Sequence, residues 1–183
     1  MKDRIANTLV ELMKTTRYAD ISIRMLCDAT PVSRNAFYYH FESKQQLLEW
    51  ACIRNYQKYC LPYHKFTEGG VSSKTMFEYI LRFKDFYKSI YDVDGGVLLH
   101  HCFMVAHISG TDVEHVKEYT TLLNSAVRKI NKEVYLRYAT SGIASVLVYW
   151  VENDCSIPIE AIAKDLQVML TIPLTDVRDK YVY

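Results

Sequence analysis

Apolar and polar residues alternate with a helical period along most of the chain. At the start, apolar residues recur at i, i+4, i+7 and i+8, which predicts a helix over roughly residues 3 to 15 with one buried stripe. These residues are Ile5, Leu9, Leu12 and Met13. Past Cys60, Pro62 and the polar run 67–74 interrupt the pattern. We therefore expect a boundary between an N-terminal helical part and a longer C-terminal part.

Two short helices are predicted between Ile23 and Phe41. Ser22 is suited to cap the first of them, and Thr30-Pro31 ends it. Ser33 caps the next helix almost at once, so the connecting turn has about three residues, as in a helix-turn-helix. The stretch 43–46, Ser-Lys-Gln-Gln, then has the pattern of a capping box and opens a fourth helix.

The C-terminal part also has a helical pattern. Periodic apolar residues predict helices over 76–87, 97–108, 113–127, 133–153 and 158–171, with a break at 94–96 and an end at Pro173. The helix over 133–153 is apolar over more than one stripe, so we expect it to be covered from more than one side. With 6 Gly and 4 Pro in 183 residues, the chain has too few turns for a many-stranded sandwich, and an all-α fold is predicted.

Composition and charge narrow the class of protein. Half of the residues are apolar, which excludes wholesale disorder. No run approaches the ~18 apolar residues of a membrane span, and no signal peptide is evident, so a cytoplasmic protein without a membrane partner is expected. The five cysteines are widely spaced and are expected to be buried thiols. Residues 1–60 carry a net charge of +3 and residues 61–183 a net charge of −2, a bias too mild to argue for nucleic acid.

The stretch 32–44, VSRNAFYYHFESK, carries the most specific chemistry. Its apolar residues recur on one side of the third helix, which leaves an unusual number of hydrogen-bonding side chains on the other. On the second helix of a helix-turn-helix, Arg34 suits guanine and Asn35 suits adenine in the major groove. Tyr and His side chains suit phosphate. Lys44 lies in the first turn of the next helix, where free N–H groups favour an anion, so we expect it to contact a DNA phosphate.

This stretch resembles the DNA-binding motif of the TetR family of transcriptional regulators. The resemblance covers residues 4–48 and includes Val32-Ser33, Phe37-Tyr38, His40-Phe41 and Ser43-Lys44. It implies DNA contact by nine residues, which are Ser22, Arg24, Ser33, Arg34, Asn35, Tyr38, Tyr39, His40 and Lys44.

Three positions depart from the family pattern. Pro31 stands where Gly or Asn is usual, Asn35 where Gly is common, and Ala36 where Thr is common. Because a proline ring fixes φ near about −65°, a left-handed turn is not expected at Pro31. Ala36 lacks a hydroxyl that often meets DNA, which predicts altered contacts and not lost binding.

The resemblance also implies an organisation and a function. Residues 1–48 are expected to form the helix-turn-helix domain, and residues 49–183 a helical domain for ligand binding and dimerisation. The expected partners are palindromic double-stranded operator DNA, a second copy of the chain and a small-molecule effector that releases a repressor from DNA. No cofactor is expected.

Two sets of residues are candidates for the roles of the C-terminal domain. Excess apolar surface on the last two predicted helices suggests a four-helix dimer interface. Its residues would be Tyr138, Gly142, Val146, Tyr149, Ile162 and Leu166. Large aromatic side chains suit an apolar effector pocket, although core filling is the default interpretation of any single one of them. They are Phe83, Phe86, Tyr87, Phe103, Tyr119 and Tyr149.

Other classes of function are less well supported. His100, His101, Cys102 and His107 are metal-ligand types, but adjacent helix positions diverge by about 100° and no i, i+4 pair is present. No metal site is therefore predicted. The sequence holds no nucleophile elbow, zinc-protease motif, phosphate loop or dinucleotide fingerprint, so we do not expect an enzyme or catalytic residues. The alternative to a regulator is a helical interaction protein that acts through protein contacts.

Overall fold

The computed structural model describes residues 1–59, 65–67, 70–72, 74–110 and 132–171. These residues form nine α-helices and one antiparallel hairpin. The helices are α1 (Lys2–Leu12), α2 (Ile23–Ala29), α3 (Arg34–His40), α4 (Lys44–Tyr59), α5 (Lys74–Arg82), α6 (Lys84–Asp94), α7 (Val97–Gly110), α8 (Lys132–Glu152) and α9 (Ile159–Thr171), and the strands are β1 (Lys65–Thr67) and β2 (Gly70–Ser72). Within the described ranges, no helix has the length and apolar character needed to cross a membrane. The predicted helical fold is confirmed.

Serine caps set the two short helices. The Ser22 hydroxyl accepts a hydrogen bond from the Met25 N–H at 3.2 Å, and the Ser33 hydroxyl accepts one from the Ala36 N–H at 3.1 Å. Each bond satisfies a donor that the first turn of a helix leaves without a partner. Both predicted caps are confirmed, and they separate α2 from α3 by the expected tight turn.

The predicted capping box opens α4. The Ser43 hydroxyl accepts a hydrogen bond from the Gln46 N–H at 3.1 Å. The Gln46 side-chain oxygen accepts in return from the N–H of Glu42 at 2.8 Å, one residue earlier than in a standard box. The entry of the chain into α4 is thereby fixed on both sides.

Helices α1, α2 and α3 pack with the first turns of α4 around one apolar cluster, and we call this part the head. Its fully buried side chains include Leu9 from α1, Leu26 from α2, Phe37 from α3 and Leu47 from α4. We call the remainder, from the second half of α4 onward, the body. Helix α4 runs without interruption through residue 48, at which the sequence analysis divides the chain, and contributes to both cores.

The body is built on α7 and α8, which pack along each other, with α4 and α6 beside α7. Trp150 of α8 is fully buried and meets the Phe77 ring edge-on, with 5.0 Å between centroids. Its indole N–H donates to the carbonyl of Ile157 at 2.9 Å, which satisfies the polar end of a buried ring. The backbone of β2 lies beside α9.

Two features of the body differ from the predictions. The helix predicted over 76–87 is two helices, because the backbone breaks at Phe83 (φ −112°, ψ 31°) with no Gly or Pro to announce it. The hairpin between residues 65 and 72 lies in a run predicted only as an interruption.

The break at 94–96 is confirmed: Gly95 ends α6 with a left-handed φ of 71°, a conformation that glycine adopts at little cost. The helix predicted over 113–127, together with Cys60 and Pro173, lies outside the described residues.

Candidate DNA-binding surface

Helix α3 has one inward and one outward face. Phe37 points inward and is fully buried. Arg34 and Asn35 are exposed, and the outward face continues with Tyr38 and Tyr39, which are 54% and 84% exposed. Nothing in the head's packing requires these polar side chains to lie together. The structure therefore gathers four of the residues predicted to meet DNA on one solvent-facing side of α3.

The two capping serines border this surface. Each hydroxyl oxygen accepts its capping bond from a backbone N–H, an arrangement in which the O–H proton remains a donor. Ser22 and Ser33 are both exposed, so their hydroxyls are accessible to a phosphate oxygen. The same side chains thus start the helices and present donors at their ends.

Two further candidates have protein partners that are easily exchanged. The Arg24 guanidinium lies 3.6 Å from the Asp28 carboxylate, and both side chains are more than 70% exposed. Exposed ion pairs contribute only about 0 to 1 kcal/mol, so Arg24 can leave this pair for a phosphate. The His40 ring packs edge-on against Tyr39, with 5.0 Å between the ring centroids.

The turn between α2 and α3 passes through an unexpected conformation. Pro31 has a φ of +28°, so the expectation that the chain makes no left-handed turn at Pro31 is wrong. The reason lies in the helix end: the Val32 N–H donates to the Cys27 carbonyl at 3.1 Å, the longer bond of a Schellman motif. The shorter bond would need an N–H at residue 31, which proline lacks.

Lys44 has partners other than those expected. Its ammonium donates to the carbonyl oxygens of Tyr18 at 2.7 Å and Ile21 at 2.6 Å, and the Ala19 carbonyl lies at 3.4 Å. Partial burial lowers the pKa of Lys44, an effect that the Asp20 carboxylate opposes. Because three carbonyls take the three N–H donors of the ammonium, the predicted phosphate contact is corrected to an internal one. Lys44 fastens α4 to the segment that precedes α2.

Arg4 holds the other end of α2. This α1 side chain donates to the Thr30 carbonyl, the last acceptor of α2, at 3.0 Å. With Lys44 at the start and Arg4 at the end, α2 is anchored to both neighbouring helices, and α2 in turn positions α3. Sequence reasoning missed Arg4, because a single arginine on the polar side of α1 carries no pattern that distinguishes it from a solvated charge.

Of the aromatic residues predicted to line an effector pocket, the five that the structure describes divide between the core, the surface and a groove. Phe86, Tyr87 and Phe103 are buried in the body core, and Tyr87 and Phe103 pack with 5.7 Å between ring centroids. Tyr149 lies on the surface of α8, 54% exposed, and Phe83 borders a groove toward the head. Tyr119 lies outside the described residues. Phe86, Tyr87 and Phe103 thus help to fill the core, as their size favours, and a pocket lined by the whole set stays a prediction.

The residues predicted at the dimer interface also separate into two groups. Ile162 and Leu166 are 3% and 2% exposed because they face the body core, so their assignment to an interface surface is corrected. Tyr138 is 65% exposed, and Gly142 and Tyr149 are exposed on the same helix. Val146 is half-buried beside them.

The histidines of α7 have separate partners. The rings of His100 and His101 each lie 3.2 Å from a protein oxygen, in Ser145 and Glu49 respectively. His107 is buried, and its Nε2 lies 2.7 Å from the Tyr56 hydroxyl. In the part of the chain that the structure describes, no group of three or more His, Cys, Asp or Glu side chains is arranged to hold a metal ion.

Comparison with known families decides the identity of the fold. The family model described as "Bacterial regulatory proteins, tetR family" matches residues 5–51, which include most of α1, all of α2 and α3, and the first half of α4. A second, described as "Transcriptional regulator C-terminal region", matches residues 72–172, more than half of the chain. The chain belongs to the TetR family of regulatory proteins. It is a DNA-binding transcriptional regulator, and the resemblance found in residues 4–48 is confirmed.

A solved structure shares the TetR fold with this chain. The protein titled "Dihydroxyacetone kinase operon activator DhaS" superposes with a TM-score of 0.59 and covers 97% of this chain and 96% of its own. The two sequences are 16% identical, so the likeness concerns the fold alone. The comparison with curated proteins gave no match.

Proposed function

We propose that this TetR regulator binds a palindromic operator as a homodimer, represses the adjacent gene, and is released by a small-molecule effector. The observation that carries the DNA part is the outward face of α3, where Arg34, Asn35, Tyr38 and Tyr39 are exposed while Phe37 anchors the helix. Arg34 and Asn35 enter the major groove, and Ser22, Ser33 and His40 hold the flanking phosphates.

The homodimer is supported by the outward face of α8. Val134, Tyr138, Gly142 and Tyr149 recur at i, i+4, i+8 and i+15, and the three large ones are 61%, 65% and 54% exposed. Exposed apolar residues in a continuous row are unfavourable in water and are typical of a surface that another protein covers. A Cβ built on Gly142 meets nothing within 4 Å, so the row has a flat centre at which a second α8 can approach. Two copies related by a two-fold axis then present two α3 helices to one palindrome.

Release by an effector is supported by the path of α4. Leu47 and Leu48 of this helix are buried in the head, while Cys52 and Tyr56 are buried in the body. A change in the body that tilts α4 therefore moves the head with it. An effector that favours a spacing of the heads unsuited to DNA weakens DNA binding by the ratio of its affinities for the two states.

Selection from random DNA tests the operator and the dimer together. The purified chain is incubated with a randomised duplex library, and the retained fragments are sequenced. We expect a palindrome with half-sites roughly 34 to 36 Å apart, or a multiple of that distance, and a dimer by light scattering at micromolar concentration. Enrichment of no sequence would instead favour the interaction protein that acts without DNA, and a monomer would contradict the symmetric site.

The direction of regulation needs a separate measurement. The structurally similar DhaS protein is titled an activator, so activation is the second candidate for this chain. A reporter gene placed behind the selected operator distinguishes the two roles. We expect lower expression when the regulator is present, because a dimer bound across a promoter excludes polymerase; higher expression would establish activation.

A further inference from the structure

A groove of about 760 Å³ lies where the head meets the body. Three elements line it: α1 contributes Asn7, α4 contributes Asn55 and Tyr59, and α5 with the residue after it contributes Thr75, Tyr79 and Phe83. Its volume is within the range of roughly 300 to 1,000 Å³ typical of small-molecule sites. None of these residues except Phe83 belongs to the effector pocket predicted from the sequence.

One wall of the groove is a row of three aromatic rings. Tyr59 and Tyr79 are stacked with 5.1 Å between centroids and 18° between planes. Tyr79 and Phe83 follow with 4.7 Å between centroids and a 40° tilt. We call these three residues the aromatic row. Such a surface favours a flat aromatic ligand, which stacks on ring faces or edges.

The charges around the groove argue against a charged ligand. Two carboxylates and one guanidinium line it, those of Glu11, Glu78 and Arg82. Each carboxylate already has an ammonium within 4 Å: Glu11 with Lys14 at 2.7 Å, and Glu78 with Lys74 at 3.9 Å. Cations also lie at both ends of the aromatic row, Lys58 at 4.8 Å from the Tyr59 ring centroid and Arg82 at 5.8 Å from that of Phe83. A cationic ligand is repelled by the cations at the ends of the row, and an anionic ligand is repelled by the carboxylates. A charged ligand of either sign would also lose favourable hydration on binding.

We propose that this groove binds an uncharged, flat aromatic molecule and that this molecule is the effector. Its face packs against the ring edges of the aromatic row. Hydrogen-bonding groups on its edge meet the amides of Asn7 and Asn55 and the hydroxyl of Thr75, which offer both donors and acceptors. The effector role rests on the proposed function, whereas binding in the groove does not.

The position of the groove explains how a ligand bound in it would change the affinity for DNA. A molecule in it contacts α1, which belongs to the head, and α5, which belongs to the body, and so holds these helices at one spacing. Helix α1 also carries Arg4, whose bond to the Thr30 carbonyl anchors α2 and thereby α3. Fixing α1 against the body therefore fixes the orientation of the DNA-binding surface. If that orientation differs from the one bound to DNA, the ligand and the DNA oppose each other.

Fluorescence titration of the full chain with Nile red, an uncharged planar dye, tests binding. We expect a blue-shifted, saturable signal. Ethidium, a planar cation, and 8-anilinonaphthalene-1-sulfonate, an aromatic anion, should bind at least tenfold more weakly. Tyr79→Ala interrupts the aromatic row, and Thr75→Trp fills the groove while keeping the row, so each should weaken Nile red at least tenfold. Leu81→Ala is the matched control, because this α5 residue is 41% exposed and does not line the groove.

Thermal melts show which variants are folded. If Tyr79→Ala does not fold, the Thr75→Trp protein still tests the site. Equal Nile red affinity in wild type and in a folded groove variant would overturn the site, and tighter binding of either charged dye would overturn the ligand class. The operator Kd is then measured with and without saturating Nile red, and we expect it to rise by at least about fivefold. An unchanged Kd would overturn the effector role. Failure to bind any DNA, with Nile red still in the groove, would remove the proposed function and the effector role and leave the binding site.

Discussion

The outward faces of α3 and α8 both expose two tyrosines, yet they suit different partners. On α3, Tyr38 and Tyr39 are 54% and 84% exposed, and on α8, Tyr138 and Tyr149 are 65% and 54% exposed. The neighbouring residues differ. The α3 tyrosines lie among Arg34, Asn35 and His40, whereas the α8 tyrosines lie among Val134, Gly142 and Val146.

This difference shows that an exposed tyrosine takes its role from its neighbours. A phenol beside a guanidinium and an amide donates to phosphate next to groups that recognise bases. A phenol in an apolar row is a large, half-polar contact surface of the kind enriched at protein interfaces. The tyrosines alone do not distinguish the DNA surface from the dimer surface, and charge-changing substitutions should.

The largest effect is expected at α8. Tyr138→Glu places a carboxylate in the apolar row, where a dimer would bury it without a partner. We expect the dimer to weaken by at least about 2 kcal/mol, or about thirtyfold in its Kd, as for loss of a central interface residue. Analytical ultracentrifugation over a concentration series measures this. Tyr138→Phe, which keeps the apolar area, should remain a dimer, and a Tyr138→Glu protein as tightly dimeric as wild type would remove α8 from the interface.

The next effect is expected at α3. Arg34→Ala should weaken operator binding by about 1 to 3 kcal/mol and relax the preference at one base pair, because a bidentate contact to a base edge is lost. Competition binding against single-base operator variants measures both changes. Lys164→Ala removes an exposed positive charge from α9, which packs on α5, α8 and β2 of the body, and should leave the affinity as it is. If both variants lose affinity equally, the effect is one of net charge and not of recognition.

A smaller effect of opposite sign is expected at the turn between α2 and α3. Pro31→Gly relieves the positive φ and supplies the N–H that completes the Schellman motif, so the free energy of unfolding should rise by about 1 kcal/mol or more. Thermal or urea unfolding of the full chain measures it. Pro158→Gly is the matched control. The Pro158 carbonyl already accepts the first hydrogen bonds of α9, so glycine adds no bond there. It makes the unfolded chain more flexible and should lower the free energy of unfolding by roughly 0.4 to 1 kcal/mol. Destabilisation by both substitutions would contradict the strained turn.

The smallest expected change is in DNA affinity and its dependence on salt concentration. Lys44→Met should weaken all DNA sequences alike by loosening α4 from the segment before α2. The slope of log Kd against log salt should stay as in wild type, because the ammonium is bound to backbone carbonyls. A lysine on a phosphate would change this slope by about 0.9. A change of that size would restore the phosphate contact that the sequence suggested.

The head could be predicted from the sequence almost element by element. Its helix boundaries depend on local chemistry. Ser22, Ser33 and Ser43 each precede a helix, and each hydroxyl accepts a capping bond from the N–H three residues later. The outward side chains of α3 follow from the same local periodicity. The contacts of Lys44 could not be predicted in this way, because the three carbonyls that its ammonium meets are more than 20 residues away in the chain.

The body was predicted less well, because its features depend on distant packing. The break at Phe83 carries no Gly or Pro signal, and the aromatic row joins Tyr59 of α4 to Tyr79 of α5. Core and cavity residues also have the same composition: Phe103 fills the core and Phe83 borders the groove. Periodicity identifies a buried face but does not say whether the space opposite is filled.

Of the seven residues that form α3, Phe37 is the buried one. The stability of the head therefore constrains one position of that helix strongly and the others weakly. In the proposed complex with DNA, substitutions at Arg34, Asn35 or Tyr39 after a gene duplication would change the preferred operator with little cost in folding. The separation of anchor from surface makes α3 an exchangeable part, so new operator preferences can arise in this regulator, by evolution or by design, without rebuilding its core.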